Sequence, residues 1–66
     1  MTGTELLNAA IGRIESKSIR EWASTPQNFP VFVKAAESWL AKRGDLSTDE
    51  DNVLRFSTWM VCLAMG

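Results

Sequence analysis

The chain of 66 residues contains no histidine and no tyrosine, and it has a single cysteine, Cys62. Histidine is the most frequent general base and metal ligand in proteins, so its absence excludes a Cys–His nucleophile and a structural zinc site here. One cysteine forms no disulfide within the chain, which favours a reducing, cytoplasmic setting. The sequence therefore predicts a protein without enzyme activity, cofactor or bound metal.

An excess of charge of one sign is also missing. Seven basic and eight acidic residues give a net charge of −1, which provides no long-range attraction to nucleic acid or to an anionic membrane. The start of the chain, "MTGTELLNAAIGRIE", lacks the basic and apolar regions of a signal peptide. The apolar run "WMVCLAM" near the end is far shorter than the roughly 20 residues that span a bilayer. We expect no contact with membranes.

Glycine and proline are scarce, with four and two residues, and they mark the breaks between predicted helices. Pro26 and Pro30 disfavour helix in the residue before each of them, and Gly44 is suited to end a helix. No segment shows the alternation of polar and apolar residues that is typical of a half-buried strand. The sequence therefore predicts an all-α fold in a single domain over 1–66, a small bundle of three main helices plus one short helix.

Three serine or threonine residues precede a glutamate by three positions, which is the spacing of a capping box at a helix start. The pairs are Thr2–Glu5, Ser18–Glu21 and Ser47–Glu50. They predict a helix over about 4–16, a short helix over about 18–24 and a last helix that ends at about residue 65. Pro30 is expected to begin a further helix over about 30–43. Alternatively, the first two helices are continuous with a bend near 16–18.

Apolar residues at helical spacing predict the core. The first helix carries an apolar arc of Leu6, Leu7, Ala10, Ile11 and Ile14. Phe32, Trp39, Phe56 and Met60 are expected to be largely buried, and Val53 and Leu63 share the core-facing arc of the last helix. Cys62 is expected to be a small buried residue of that helix.

The last helix is apolar almost all round, which is typical of a helix that is covered on most sides. Leu54, Thr58, Val61 and Met65 lie on a second arc and have the 4-3-4 spacing of a short coiled-coil stripe. A bundle this small offers few helices to cover that arc. The sequence therefore predicts that a partner covers it, most economically a second copy related by a two-fold axis.

Three tryptophans are many for a chain of this length, and exposed tryptophan is enriched in binding hot spots. The expected partner-binding residues are Trp22, Leu54, Trp59, Val61 and Met65. The function that we predict is a small protein–protein interaction module, an adaptor, inhibitor or regulator that binds a larger protein. Small proteins of this type are often encoded by phages, plasmids and other accessory elements.

The alternative hypothesis is a small nucleic-acid-binding regulator. Arg13, Lys17 and Arg20 have spacings of four and three, so they would line one helix face if the first two helices were nearly continuous. Such a face beside Trp22 would contact phosphates and a base. Acidic residues lie among these cations and the net charge is negative, so the sequence favours a protein partner over nucleic acid.

Overall fold

The computed structural model describes residues 1–43 and 47–66. Within these ranges the chain forms four helices and no strand: α1 (Gly3–Arg13), α2 (Lys17–Ser24), α3 (Phe29–Arg43) and α4 (Asp49–Ala64). The prediction of an all-α bundle with three main helices and one short helix is confirmed. The helix end that was predicted at Gly44 lies outside the described residues.

The capping box predicted at the start of α1 is confirmed. The backbone N–H of Glu5 donates to Thr2 Oγ1 at 3.1 Å, and the N–H of Thr2 donates to Glu5 Oε1 at 2.8 Å. Two backbone donors that have no partner within the helix are thereby satisfied. The hydrogen bond from the Thr2 backbone, and then that from its hydroxyl, holds the pKa of Glu5 below its usual range.

A sharp break separates α1 from α2, so the alternative of one continuous, bent helix is wrong. Ile14 is extended, with φ −78° and ψ 123°, and α1 ends at Arg13 instead of near residue 16. Arg20 Nη1 donates to the carbonyl oxygens of Ile14 at 2.6 Å and Glu15 at 3.2 Å. The guanidinium group therefore satisfies carbonyls that a longer α1 would have bonded within the helix.

Two predicted helix starts are displaced. Ser16 caps α2 by accepting from the N–H of Ile19 at 3.4 Å, so the predicted box at Ser18–Glu21 is wrong. Thr48 caps α4 by accepting from the N–H of Asp51 at 3.1 Å. The hydroxyl of Ser47 instead donates to the Arg43 carbonyl at 3.4 Å, so the box at Ser47–Glu50 is also wrong. α3 begins at Phe29, one residue before the predicted Pro30.

The core is centred on α1, which packs extensively against both α3 and α4, whereas α3 and α4 contact each other much less. All four helices contribute to one cluster of buried apolar side chains. Its members are Leu6, Leu7, Ala10, Ile14, Ala23, Phe32, Ala36, Val53, Phe56 and Met60. The burial predicted for Phe32, Phe56 and Met60 is confirmed. Trp39 is partly buried and packs against this cluster, so the burial predicted for it is confirmed in part.

The end of α4 has no covering helix among the described residues. Arg13 at the end of α1 bonds to Glu50 near the start of α4 at 3.1 Å, so the two helices are antiparallel and aligned at this end. At 1.5 Å per residue α1 is about 16 Å long and α4 about 24 Å, so α4 overhangs by about five residues. Leu63, with 51% exposure, and Cys62 lie on this overhang. The predictions that they are buried are therefore wrong.

α1 approaches α3 closely at Gly3. A Cβ atom there would lie 2.9 Å from the carbonyl oxygen of Val33 and would overlap the side chain of Glu37. A Cβ atom at Gly12, by contrast, would meet nothing within 4 Å. The missing side chain therefore matters for packing at Gly3 and not at Gly12.

We expect Gly3→Ala to lower the free energy of unfolding by about 1–3 kcal/mol, because the added methyl group must push α3 away. Gly12→Ala is the matched control. It should raise the free energy of unfolding by about 0.5–1 kcal/mol, because alanine loses less entropy than glycine in a helix. Urea denaturation measures both. Equal stabilisation by the two changes would contradict the close α1–α3 contact.

The capping box predicts a pH dependence. Because the pKa of Glu5 is lowered in the folded state, the stability that it contributes is present above the unfolded pKa and is lost as the pH falls through the folded pKa. An NMR titration of the Glu5 carboxylate should give a midpoint below that of the same residue in urea-unfolded protein. Thr2→Ala should raise the native midpoint. Identical native and unfolded midpoints would contradict the prediction.

Candidate interaction surfaces

Aromatic rings fill the space between α3 and α4. Trp39 contacts Phe56 with ring centroids 5.8 Å apart, and Phe56 contacts Trp59 at 5.3 Å. Trp59 also contacts Phe32 at 6.1 Å, and Phe32 contacts Trp22 of α2 at 5.2 Å. Three of the four pairs meet edge to face, the arrangement that the ring quadrupoles favour. The five rings form one connected cluster that supports Trp59 from behind.

A shallow groove opens between α3 and α4 at this cluster. We call it the α3–α4 groove; it measures about 290 Å³ and is lined by Ala35, Ser38, Trp39, Lys42, Phe56 and Trp59. Trp59 lies at the edge of the groove and is 39% exposed. The guanidinium carbon of Arg43 lies 5.2 Å from the centroid of the Trp39 ring, in cation–π contact. The groove therefore combines aromatic walls with cations from the last turn of α3.

A buried amide fixes one wall of the groove. The indole Nε1–H of Trp39 donates to Oδ1 of Asn52 at 3.2 Å, and Asn52 is completely buried. The Nδ2 group of this amide has no hydrogen-bond partner among residues 1–43 and 47–66. Sequence reasoning did not predict this contact, because Asn52 follows three acidic residues at the polar start of α4.

The predicted stripe of Leu54, Thr58, Val61 and Met65, which we call the α4 stripe, lies on the outer side of α4. Leu54 is 52% exposed and Met65 79%, while Val61 is half-buried against the core. Thr58 Oγ1 donates to the carbonyl oxygen of Leu54 at 2.9 Å. The donor of this hydroxyl is therefore satisfied within the helix.

A second groove runs beside the α4 stripe. It measures about 390 Å³, and it separates α4 from the corner where α1 turns into α2. Ile14 and Ile19 contribute apolar side chains to the far wall, and Val61 and Cys62 lie on the near wall. We call it the corner groove.

The five predicted partner-binding residues lie on two sides of α4, although Leu54 and Trp59 both line one shallow depression at Asp51 and Arg55. Trp22 and Trp59 both contact Phe32 in the aromatic cluster, whereas Leu54, Val61 and Met65 lie along the α4 stripe. Leu54 and Trp59 are five residues apart, which places them about 140° apart around the helix. An ion pair between Arg55 Nε and Asp51 Oδ2 at 2.9 Å lies between the two sides. Their roles in binding stay predictions.

The three basic residues of the alternative hypothesis do not share a continuous helix, because the break at 14–16 separates α1 from α2. Arg13 pairs with Glu50 at 3.1 Å, and Lys17 lies 4.0 Å from the carboxylate of Glu21. Arg20 bonds to the backbone carbonyls at the end of α1. The geometric premise of a basic stripe is therefore wrong, while nucleic-acid binding itself is untested.

No three cysteine, aspartate or glutamate side chains in the described part of the chain converge to hold a metal ion. No helix in the same part has both the length and the apolar composition to cross a membrane. No family model matches the chain, and no curated protein or solved structure is significantly similar to it.

We expect the Trp39–Asn52 pair to show strong energetic coupling. Trp39→Phe removes the donor and leaves both ends of the buried amide unpaired, which should cost about 1–3 kcal/mol. Replacing both partners, as in Trp39→Phe with Asn52→Leu, should restore much of that stability, because no buried polar group is left. Urea denaturation of the two single variants and the double variant measures the coupling. Additive effects would show that the hydrogen bond contributes little.

Proposed function

We propose that this protein is a protein-binding module without chemistry of its own, an adaptor, inhibitor or regulator of a larger protein. The observation that supports the proposal is the uncovered apolar surface of α4. Six large hydrophobic side chains are exposed in the described residues: Met1, Val31, Leu54, Trp59, Leu63 and Met65. Four of the six lie on α4 or at its C-cap, so the exposure is concentrated on one helix, which is typical of an interaction site.

The α3–α4 groove is the surface that we assign to the larger partner. Trp59 presents one face at the groove while Phe32 and Phe56 hold the ring from behind. A tryptophan that is already immobilised loses little conformational entropy on binding, which favours a hot-spot role. Leu63 lies one turn beyond Trp59 on the same side of α4 and extends the apolar surface along the overhang.

The charges at the groove indicate the chemistry of the partner. Lys42 lines the groove, and the guanidinium group of Arg43 is in cation–π contact with Trp39. Charges at the rim of an interface mainly raise the association rate and select among partners. The groove therefore suits a protein segment that places apolar side chains against Trp59 and acidic side chains beside Lys42.

We place this activity in a reducing compartment such as the cytoplasm. The thiol of Cys62 is exposed and unbonded, and an exposed thiol persists in the reduced form where glutathione and thioredoxin are active. This placement also fits a module that binds intracellular protein.

Capture of the tagged protein from its native cells, with nuclease present, tests the proposal. We expect one protein to be retained by the wild-type chain and to bind at least about tenfold more weakly to Leu63→Glu, a loss of about 1.4 kcal/mol. Lys42→Glu should weaken the same complex, because it reverses the charge at the groove. Leu54→Glu is the matched control, since Leu54 has almost the same exposure as Leu63 but lies on the other side of α4.

Two results would contradict the proposal. One is a partner that binds wild type, Leu63→Glu and Lys42→Glu equally well. The other is the loss of every captured protein on nuclease treatment, which would favour the nucleic-acid alternative.

A further inference from the structure

The α4 stripe has a symmetry that the α3–α4 groove lacks, and we propose that two copies of this chain pair through it as antiparallel helices. The spacing of Leu54, Thr58, Val61 and Met65 reads 4-3-4 in both directions. A two-fold axis that runs between the two α4 helices, level with the midpoint of residues 59 and 60, therefore sets Leu54 opposite the partner's Met65. The same axis sets Thr58 opposite the partner's Val61. A patch that is complementary to itself closes as a dimer without further growth.

The side chains of the stripe suit close contact between two helices. Leu54 and Met65, at the two ends, are the most exposed apolar residues on this side of α4. Thr58 lies nearest to the axis together with Val61, and its hydroxyl already donates to the Leu54 carbonyl at 2.9 Å. The methyl group of Thr58 is then available for apolar contact. Arg55 is held to one side by Asp51, so no charged side chain lies within the stripe.

The surface area that a stable dimer buries limits how the second copy can be placed on the stripe. Stable interfaces bury about 600–1,000 Å² on each partner. The described chain exposes 4348 Å² in total, so such an interface takes roughly a seventh to a quarter of its surface. The stripe spans only about 16 Å along a helix about 10 Å wide, which is too small by itself. Ile19 in the corner groove adds to this area if α4 of the second copy also contacts that residue, whereas Ile14, only 3% exposed, adds almost none.

A dimer of this size belongs at the low end of stable interfaces, so we expect it to be weak and concentration-dependent. Sedimentation velocity should show the mass rising from 7.3 kDa towards twice that value as the protein concentration increases. Leu54→Glu should weaken the dimer at least about tenfold. Its circular dichroism should stay helical, because the replaced side chain is exposed. Leu63→Glu, on the other side of α4, should leave the dimer unchanged.

A mixing experiment tests the antiparallel register. Leu54→Glu and Met65→Lys should each be monomeric alone, whereas an equimolar mixture should form a heterodimer. In that heterodimer one end pairs glutamate with lysine, and the other end keeps the native Leu54–Met65 contact. A parallel pair sets each residue opposite its own copy and gives no such rescue, so failure of the mixture to associate would overturn the proposed pairing.

Two further outcomes would overturn the dimer. One is a wild-type mass that stays at 7.3 kDa up to about 1 mM protein. The other is equal weakening by Leu54→Glu and Leu63→Glu, which would mean that the stripe is not the contact. The proposed dimer does not depend on the proposed function. Leu63→Glu tests binding of the larger partner, and Leu54→Glu tests binding of the second copy. The failure of one proposal can therefore be distinguished from the failure of the other.

Discussion

The close approach of α1 to α3 is the constraint on which the rest of the bundle depends. Gly3 lets the first turn of α1 lie against the backbone of α3, and Ala10 of α1 and Ala36 of α3 are small residues that are completely buried in the core. Because α1 occupies the centre, α3 and α4 do not pack tightly on each other. The space between them needs large side chains, and Phe32, Trp39, Phe56 and Trp59 fill it. The aromatic cluster and the groove beside it therefore follow from small residues on α1 and α3.

Sequence reasoning located the helices well and their first residues less well, for a physical reason. A serine or threonine three positions before an acidic residue satisfies the same backbone donor wherever it occurs. At the start of α1, Thr4 is another possible N-cap, but only Thr2 has an acidic residue three positions on, and the predicted box at Thr2 holds. Near α2 and α4, Ser16 competes with Ser18 and Thr48 with Ser47. At α2 the break coincides with a contact of Arg20, whose guanidinium group donates to the carbonyls of Ile14 and Glu15 just beyond α1. Local spacing contains no information about such a contact.

Helical periodicity assigned the inner face of α4 correctly at Val53, Phe56 and Met60 but failed at Leu63. A helical wheel gives the direction of a side chain around the helix axis. Burial also depends on how far the neighbouring helices extend along that axis. In the antiparallel pair the start of α1 at Gly3 sets that limit, because Arg13 at its other end lies beside Glu50 near the start of α4. The buried amide of Asn52 was missed because burial of a polar residue depends on a specific partner, here the indole of Trp39. The exposure of Leu54 and Met65 was foreseen because the sequence offers too few helices to enclose every side of α4.

The ion pair between Arg55 and Asp51 lies between the two apolar surfaces of α4. Without it, the α4 stripe and the edge of the α3–α4 groove would join near Leu54 and Trp59 into one apolar patch, and patches of that kind promote non-specific association. The pair contributes little to folding because both side chains are partly solvated. Its position matters more, since it places two charged side chains between Leu54 and Trp59 in the depression that these residues line. Under the two proposals, a second copy and a larger partner bind on either side of this ion pair and occupy opposite sides of α4 at the same time.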